Sequence, residues 1–158
     1  IGGSEMEGMI DRQKKWDLRF LALARLVASW SKDPSTKTGA VLVDQRRRVV
    51  SLGFNGFPQG IEDTEARLND REWKYAHIIH CERNALIFAQ CPLDGATLYT
   101  WPFMSCSVCA AMMIQAGVQR HVAPRSDNPR WQESFRLSEA LFREAGVVMT
   151  LYDAKEVL

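Results

Sequence analysis

Two short segments of the chain carry side chains that suit a single metal ion. His80 and Glu82 stand in the first segment, and Cys106 and Cys109 stand in the second with two residues between them. Imidazole nitrogen and thiolate sulfur are common Zn²⁺ ligands, and a catalytic zinc ion keeps three protein ligands and one open position. A carboxylate that is not a ligand can then move protons beside the metal. The pattern therefore predicts a fold that joins the two segments, with His80, Cys106 and Cys109 binding zinc and Glu82 as the acid–base group.

Two other interpretations of these residues stay open at this level. A structural zinc site would need a fourth protein ligand, for which Cys81 and His77 are the candidates. Because Cys81 adjoins His80, binding of one tetrahedral ion by both is sterically awkward, and a closed site would leave Glu82 without a role. A metal-free redox pair formed by the two cysteines of the second segment would not require the upstream histidine and glutamate.

Strands and helices alternate along most of the chain. Apolar residues at spacings of three and four between Trp16 and Trp30 predict an amphipathic helix, and short apolar runs predict buried strands. The predicted helices cover residues 12–30, 82–90, 107–116 and 128–143, and the predicted strands cover residues 40–43, 49–54, 97–101, 118–123 and 147–152. The residues of the last helix expected to face inward are Phe135, Leu137, Leu141 and Phe142. This alternation favours an α/β protein with a five-stranded mixed sheet covered on both faces, a three-layer α-β-α arrangement.

Length and composition suit one domain with its own core, because the chain has 158 residues of which 46% are apolar. We interpret residues 12–158 as a single zinc-dependent domain and residues 1–11 as a tag or disordered tail. No apolar run approaches the ~20 residues that cross a membrane, and no signal-peptide pattern opens the sequence. Thiols without a secretory signal favour a reducing, cytoplasmic location. The net charge of +1 gives no support for a broad nucleic-acid-binding surface.

Segments around the metal motif are similar to a known enzyme family. Residues 53–60 read Gly-Phe-Asn-Gly-Phe-Pro-Gln-Gly and are close to the Gly-Tyr-Asn-Gly-x-Pro-x-Gly loop of deoxycytidylate deaminases. Residues 74–86 resemble the segment that leads into His-Ala-Glu-x-Asn-Ala in these enzymes, and residues 107–118 resemble their second metal-site helix. Nucleobase deaminases share the signature H-x-E…P-C-x-x-C. By this resemblance, which covers nearly all of residues 16–152, the chain is identified as a member of the cytidine and deoxycytidylate deaminase superfamily.

The resemblance implies a cytidine-deaminase-like fold, zinc on His80, Cys106 and Cys109, and Glu82 as the proton shuttle. It also implies hydrolytic deamination of dCMP to dUMP and ammonia, a step that feeds thymidylate synthesis. Relatives in this branch form homo-oligomers, often hexamers, and some respond to dCTP and dTTP. The expected partners are therefore a nucleotide substrate, these two effectors and further copies of the chain.

Four further residues are candidates for substrate contacts. The resemblance implies that Asn55 lies near the sugar, although Asn-Gly is also a favoured turn sequence. Tyr75 and Trp101 are candidates to stack on the base or to wall it, with a place in the core as the alternative. Ser105 is expected to flank the base pocket because of its position in the chain. The unranked candidates for phosphate binding are Lys37, Lys74 and Arg125.

Two residues depart from the family pattern. Ser105 stands where relatives usually have proline, and Cys81 stands where they have alanine. Because the stretch before Cys106 lines the pocket in relatives, the choice of substrate stays open. The alternatives are a deaminase of another cytosine nucleotide or nucleoside, a deaminase of tRNA or single-stranded DNA, and a catalytically idle zinc domain.

Overall fold

The computed structural model describes residues 2–158, and Ile1 lies outside the described residues. The helices are α1 (Gly3–Ala28), α2 (Glu65–Asn69), α3 (Arg71–His77), α4 (Cys81–Phe88), α5 (Ser107–Ala116) and α6 (Gln132–Ala145). The strands are β1 (Gly39–Val43), β2 (Val49–Phe54), β3 (Thr97–Trp101), β4 (Arg120–Pro124) and β5 (Val148–Tyr152). Single turns of 3-10 helix occur at Pro129–Trp131, before α6, and at Ala154–Glu156, after β5.

The five strands form one sheet in the order β2-β1-β3-β4-β5. Strand β1 runs antiparallel to both of its neighbours, β2 and β3, whereas β3, β4 and β5 are parallel to one another. The short turn between β1 and β2 makes the hairpin, while the parallel strands are joined through α5 and α6, as parallel connections require. The predicted five-stranded mixed sheet is confirmed.

Helices cover both faces of this sheet. Successive strand residues point to opposite faces, and in β1 the residues Val41 and Val43 join the core cluster that contains α1. Ala40 and Leu42, which alternate with them, join the cluster that contains α4, α5 and α6. Every residue of β1 is buried, as expected for a central strand between two helical layers. The three-layer α-β-α arrangement is therefore confirmed.

Helix α1 begins earlier than the sequence pattern predicts. The predicted helix starts at residue 12, but residues 3–11 continue it in the N-terminal direction, with exposed side chains throughout. This part of the segment that we interpret as a tag or disordered tail is helical in the structure, and its glutamate and methionine residues are good helix formers. Although α1 has 26 residues, no helix within residues 2–158 has the apolar stretch that a bilayer crossing requires.

The inward face of α6 differs from the predicted one. Phe135 and Phe142 are buried as expected, but Leu137 and Leu141 are exposed at 50% and 36%. The third buried position of the helix is Ser138, because positions 135, 138 and 142 share one helical stripe and positions 137 and 141 lie on another. The prediction for Leu137 and Leu141 was wrong because an apolar residue was equated with a buried one.

Strand β2 holds the first turn of α4 close to the sheet. A side chain at Gly53 would place its Cβ 2.3 Å from the Cys81 carbonyl oxygen and 2.5 Å from the Ala85 nitrogen, so only glycine permits this approach. The Ser51 hydroxyl donates a hydrogen bond to the Ala85 carbonyl oxygen at 2.6 Å, and the Asn84 amide donates to the Phe54 carbonyl oxygen at 2.8 Å. These contacts fix the start of α4 at the end of β2.

Candidate active site

The three predicted metal ligands converge at the N-termini of two helices. His80 is the N-cap residue of α4, Cys106 is the N-cap residue of α5, and Cys109 lies in the first turn of α5. The His80 Nδ1 atom lies 3.6 Å from the Cys106 Sγ atom and 3.3 Å from the Cys109 Sγ atom. The two helix starts therefore bring the segments together as the motif requires.

The donor atoms of this cluster fit a zinc ion. Zn–N and Zn–S bonds of about 2.0–2.3 Å at a tetrahedral ion place the ligand atoms roughly 3.5 Å apart, which is the separation found between His80 and each cysteine. One imidazole and two thiols form the cluster, so a tetrahedral ion there keeps its fourth position for water or substrate. His80, Cys106 and Cys109 are thus positioned to bind zinc as a catalytic ion, and neither alternative ligand, Cys81 or His77, belongs to the cluster.

The electrostatic environment favours a thiolate in this cluster. Hydrogen bonding from Cys109, followed by that from His80, lowers the pKa of Cys106 to about 3. The same contact with Cys106 raises the pKa of Cys109, and the Cys106 thiolate raises the pKa of His80. The positive end of the α5 dipole also lowers the pKa of Cys106, as His80 does. The site is therefore prepared for a cation.

Glu82 lies beside the cluster without being one of its members. Its side chain is 6% exposed and lines a cleft that opens from the metal site to the surface. The Cys81 thiol donates a hydrogen bond to Glu82 Oε1, with 2.8 Å between sulfur and oxygen. Burial raises the pKa of this thiol well above its ordinary value, and the Glu82 carboxylate raises it further. Cys81, where the family pattern has alanine, thus stays a thiol donor that leaves the second Glu82 oxygen free.

Arg83 is a component of the site that sequence reasoning missed. Burial acts to lower its pKa, but the attraction of Cys109 and Cys106 outweighs burial and raises the pKa overall. The Nε atom of Arg83 is buried without a hydrogen-bond partner within residues 2–158. A signal was present in the sequence, because an arginine in the first turn of a helix is unfavourable for the dipole unless an anion lies nearby.

His121 supports the segment before Cys106 and was also missed. This fully buried residue of β4 accepts a hydrogen bond at Nε2 from the Ser105 backbone N–H at 3.1 Å, so its Nδ1–H donates to the Leu98 carbonyl oxygen at 2.9 Å. Burial lowers the pKa of His121, which agrees with this neutral tautomer. On the other side, the Ser138 hydroxyl donates to the Ser105 carbonyl oxygen at 2.8 Å.

The four predicted substrate-contact residues do not all reach the cleft. Asn55, Tyr75 and Trp101 line it, and its empty volume is about 820 Å³ including the part open to solvent. Ser105 is 1% exposed and does not belong to the lining, because its backbone is held between His121 and Ser138 and its hydroxyl points into the protein. The position of Ser105 next to Cys106 predicted that it would flank the base pocket. In the structure it lies behind the cleft wall instead.

Asn55 holds the loop that precedes β1. Its Oδ1 atom accepts from the Thr38 backbone N–H at 2.8 Å, and its Nδ2 atom donates to the Thr36 carbonyl oxygen at 2.9 Å and to Asp33 Oδ2 at 3.3 Å. The next residue, Gly56, forms a two-bond antiparallel bridge with Ile79, one residue before the metal ligand His80. The Asn-Gly segment therefore connects the cleft wall to the metal site.

Comparisons with known proteins agree with this site. The family model for the cytidine and deoxycytidylate deaminase zinc-binding region matches residues 14–124. An uncharacterized deaminase in the luxG 3' region of Aliivibrio fischeri is 42% identical over 139 residues, which cover 86% of this chain and 92% of the relative. The deoxycytidylate deaminases of Mus musculus and Homo sapiens are 32% and 31% identical over 151 residues, covering 92% of this chain and 84% of each relative.

Solved structures show the same fold. The dCMP deaminase of the cyanophage S-TIM5 in its apo form superposes with a TM-score of 0.68 at 21% identity, over 86% of this chain and 96% of the phage chain. Its complex with dCMP and dUMP gives the same TM-score and identity, over 85% and 94% of the two chains. Because the family model spans most of the sequence and includes all three zinc ligands and Glu82, this chain belongs to the cytidine and deoxycytidylate deaminase family.

Proposed function

We propose that this chain catalyses the hydrolytic deamination of dCMP to dUMP and ammonia, a reaction that feeds thymidylate synthesis. The observation that carries the proposal is the cluster of His80, Cys106 and Cys109 with Glu82 beside it as a carboxylate that does not bind the metal. Support comes from the relatives named deoxycytidylate deaminases and from the phage enzyme solved with dCMP and dUMP.

Glu82 performs the proton transfers of this reaction. When bound, zinc lowers the pKa of water and supplies a strong nucleophile at neutral pH. Glu82 accepts one proton from the attacking water and delivers it to the ring nitrogen beside the carbon under attack. It delivers the second water proton to the departing amino group, so that the carbon–nitrogen bond breaks, ammonia leaves and the water oxygen remains as a carbonyl oxygen. A single carboxylate beside the metal suffices for both transfers.

The residues around Glu82 hold it in place for these transfers. The Cys81 thiol binds Oε1, and the placement of Glu82 in the first turn of α4 fixes its backbone beside His80. In this arrangement Oε2 is the oxygen that exchanges protons.

The cleft wall supplies the substrate contacts in this proposal. Trp101, half-buried at the end of β3, walls the base, while the exposed Tyr75 contacts the substrate nearer to the surface. Asn55 lies beside the sugar, where the unused lone pair of Oδ1 can accept a hydroxyl proton, because both Nδ2 hydrogens are already donated to Asp33 and Thr36. Ser105 acts indirectly, by presenting Cys106 at the start of α5.

A substrate panel tests the proposed function. The zinc-loaded protein is assayed for ammonia release from cytosine, deoxycytidine, dCMP, CMP, dCTP and a cytosine-containing single-stranded oligonucleotide. We expect dCMP to give the highest kcat/KM. A clear preference for deoxycytidine would assign a nucleoside deaminase instead, and a preference for the oligonucleotide would assign a polynucleotide deaminase.

We also propose that the chain forms a homo-oligomer, with the hexamer of the resembling enzymes as the expected state. The neighbouring helices α4 and α5 expose large apolar side chains, among them Ile87, Phe88 and Val108, which are more than half exposed in the single chain. Burial of such side chains between subunits is favourable. Light scattering after size exclusion at micromolar concentration tests this, and a monomer would refute it.

The same resemblance supports two further parts of the proposal. One is regulation by dCTP and dTTP, which is tested by initial rates at a dCMP concentration below KM with either nucleotide added; unchanged rates would remove both effectors. The other is a cytoplasmic location, which suits four cysteines that are all free. Fractionation of the source cells tests that location.

A further inference from the structure

The outer end of the cleft carries a second polar element besides the metal site. Apart from His80, the cationic side chains that line the cleft are Lys74 and Arg130. A nucleotide whose base reaches Glu82 must place its 5′-phosphate away from the metal, toward the solvent-exposed end. The ion pairs that these two side chains form within the protein therefore decide which of them is available for a phosphate.

Lys74 already forms an ion pair with a carboxylate of the protein. Its Nζ atom lies 3.0 Å from Asp33 Oδ1 and donates to the Ser35 hydroxyl at 3.0 Å. The side chains of Lys74 and Asp33 are 5% and 7% exposed, so the pair is buried and each ion satisfies the other. Lys74 thus holds the loop before β1 against α3, and its ammonium group is committed to that contact.

Arg130 has no such partner. Within residues 2–158 its guanidinium forms no ion pair with a carboxylate, whereas six other pairs occur there. The side chain starts from the 3-10 turn Pro129–Trp131, whose N-terminus is capped where the Arg130 backbone N–H donates to Asn128 Oδ1 at 3.1 Å. Two aromatic rings then hold the guanidinium, with its central carbon 4.5 Å from the Trp131 ring centre and 5.8 Å from the Tyr75 ring centre.

The two other sequence-derived candidates lie elsewhere. Lys37, Arg125 and Arg130 are all exposed, but only Arg130 belongs to the cleft lining. Arg130 combines the properties that a phosphate site needs: a permanent charge, a planar fork of donors suited to phosphate oxygens, and a fixed position. Resting on the function proposed above, we propose that Arg130 binds the 5′-phosphate of the substrate and thereby selects nucleotides over nucleosides.

The test compares Arg130→Gln with a matched control, Arg125→Gln, an exposed arginine outside the cleft. For each variant and for the unchanged protein, kcat/KM is measured with dCMP and with deoxycytidine, and inhibition is measured with dUMP and with deoxyuridine. Loss of a charge-assisted contact predicts that Arg130→Gln lowers the dCMP-to-deoxycytidine ratio of kcat/KM by about 10- to 100-fold. The affinity for dUMP should fall in parallel. Arg125→Gln should leave both the dCMP-to-deoxycytidine ratio and the affinity for dUMP unchanged.

Three results would overturn the assignment. An equal loss for dCMP and deoxycytidine would mean that Arg130 only maintains the shape of the cleft. An unchanged ratio would mean that the phosphate binds elsewhere, and a selective loss in Arg125→Gln would move the site to that residue. Failure of the proposed function looks different, because the unchanged protein itself would then deaminate deoxycytidine in preference to dCMP.

Discussion

Two charged clusters lie on opposite faces of the same sheet and are completed in different ways. On the α1 face, the Asp17 carboxylate accepts from Arg120 Nη1, from the Tyr99 hydroxyl and from the Tyr152 hydroxyl, each at 2.7 Å. On the opposite face, His80, Cys106 and Cys109 converge on a position where the protein itself supplies no cation at the centre. The first cluster is closed by protein groups, whereas the second requires a ligand.

The pKa values of the two clusters express this difference. Burial raises the pKa of Asp17, but hydrogen bonds from Arg120, Tyr152 and Tyr99 outweigh burial and lower the pKa overall. That carboxylate is thus stabilised as an ion by fixed partners from three strands. In the metal cluster, the hydrogen bond between the two thiols lowers the pKa of Cys106 and raises the pKa of Cys109. A buried ionic cluster can therefore serve stability or binding, and the distinction lies in whether its partners are complete.

The largest effect on stability is expected from a substitution of Asp17, the carboxylate at the centre of the first cluster. Asp17→Asn keeps the size of the side chain but leaves Arg120 without a counter-charge, and breaking a buried pair in this way costs about 3–5 kcal/mol. We expect a loss of that order in the free energy of unfolding from urea denaturation, with the zinc content per folded chain unchanged. The matched control is Glu156→Gln, which removes the exposed ion pair with Lys14 and should cost far less, because water screens an exposed pair. Equal losses in the two variants would contradict the role assigned to Asp17.

A smaller effect, on zinc affinity, is expected from a substitution of Arg83 beside the metal cluster. Arg83→Gln removes the positive charge next to the two thiolates, and loss of such an outer contact typically weakens metal binding about 10- to 100-fold. Competition with a chromophoric chelator measures the zinc dissociation constant. Arg83→Lys, which keeps the charge, should recover part of the affinity. Unchanged zinc binding in Arg83→Gln would show that the guanidinium does not support the thiolates.

The smallest effect concerns the pH at which His121 on one face of the sheet, and Asp17 on the other, stop contributing to the free energy of unfolding. The pKa of His121 is lowered in the folded protein, so below about pH 6.5 the unfolded chain takes up a proton that the folded chain does not. The free energy of unfolding should therefore fall as the pH is lowered from 7.5 to 5.5. The lowered pKa of Asp17 acts only in more acid solution, because its contribution is lost as the pH falls below the ordinary value of 3.8.

Urea denaturation at the two pH values measures the difference, with zinc-saturated His121→Gln as the control. Glutamine offers the same donor and acceptor without titrating, so the free energy of unfolding of this variant should fall less than that of the unchanged protein over that interval. Identical pH dependence in both proteins would show that His121 is not the group that titrates.

The ligands of the open cluster were predictable from sequence because they form a local pattern of rare residue types. His80, Cys106 and Cys109 need only two short segments, and the helix starts that position them are visible as loop-to-helix transitions. The sheet was equally predictable, since strand and helix periods alternate. By contrast, the groups that Arg83 and His121 contact are distant in sequence. The place of Arg83 in a first helical turn indicates a nearby anion without identifying it, and His121 belongs to no local pattern.

The substrate-binding wall could be predicted only in part. Tyr75 and Trp101 reach the cleft, but Ser105 does not, because a position next to a metal ligand does not determine which way a side chain points. The charge of Lys74 makes it a candidate for phosphate binding, but the structure pairs it with the buried Asp33. Whether a charged side chain is free to bind a ligand depends on its neighbours in the folded chain, and the spacing of residues in the sequence does not identify these.

Replacement of Glu82 by glutamine tests the central claim most directly. The variant keeps the size and the hydrogen-bonding capacity of the side chain but cannot carry protons, whereas all three zinc ligands remain. We predict that kcat for dCMP falls by about 10²- to 10⁴-fold, while metal analysis still finds one zinc ion per chain. Full activity in this variant with zinc bound would contradict the account.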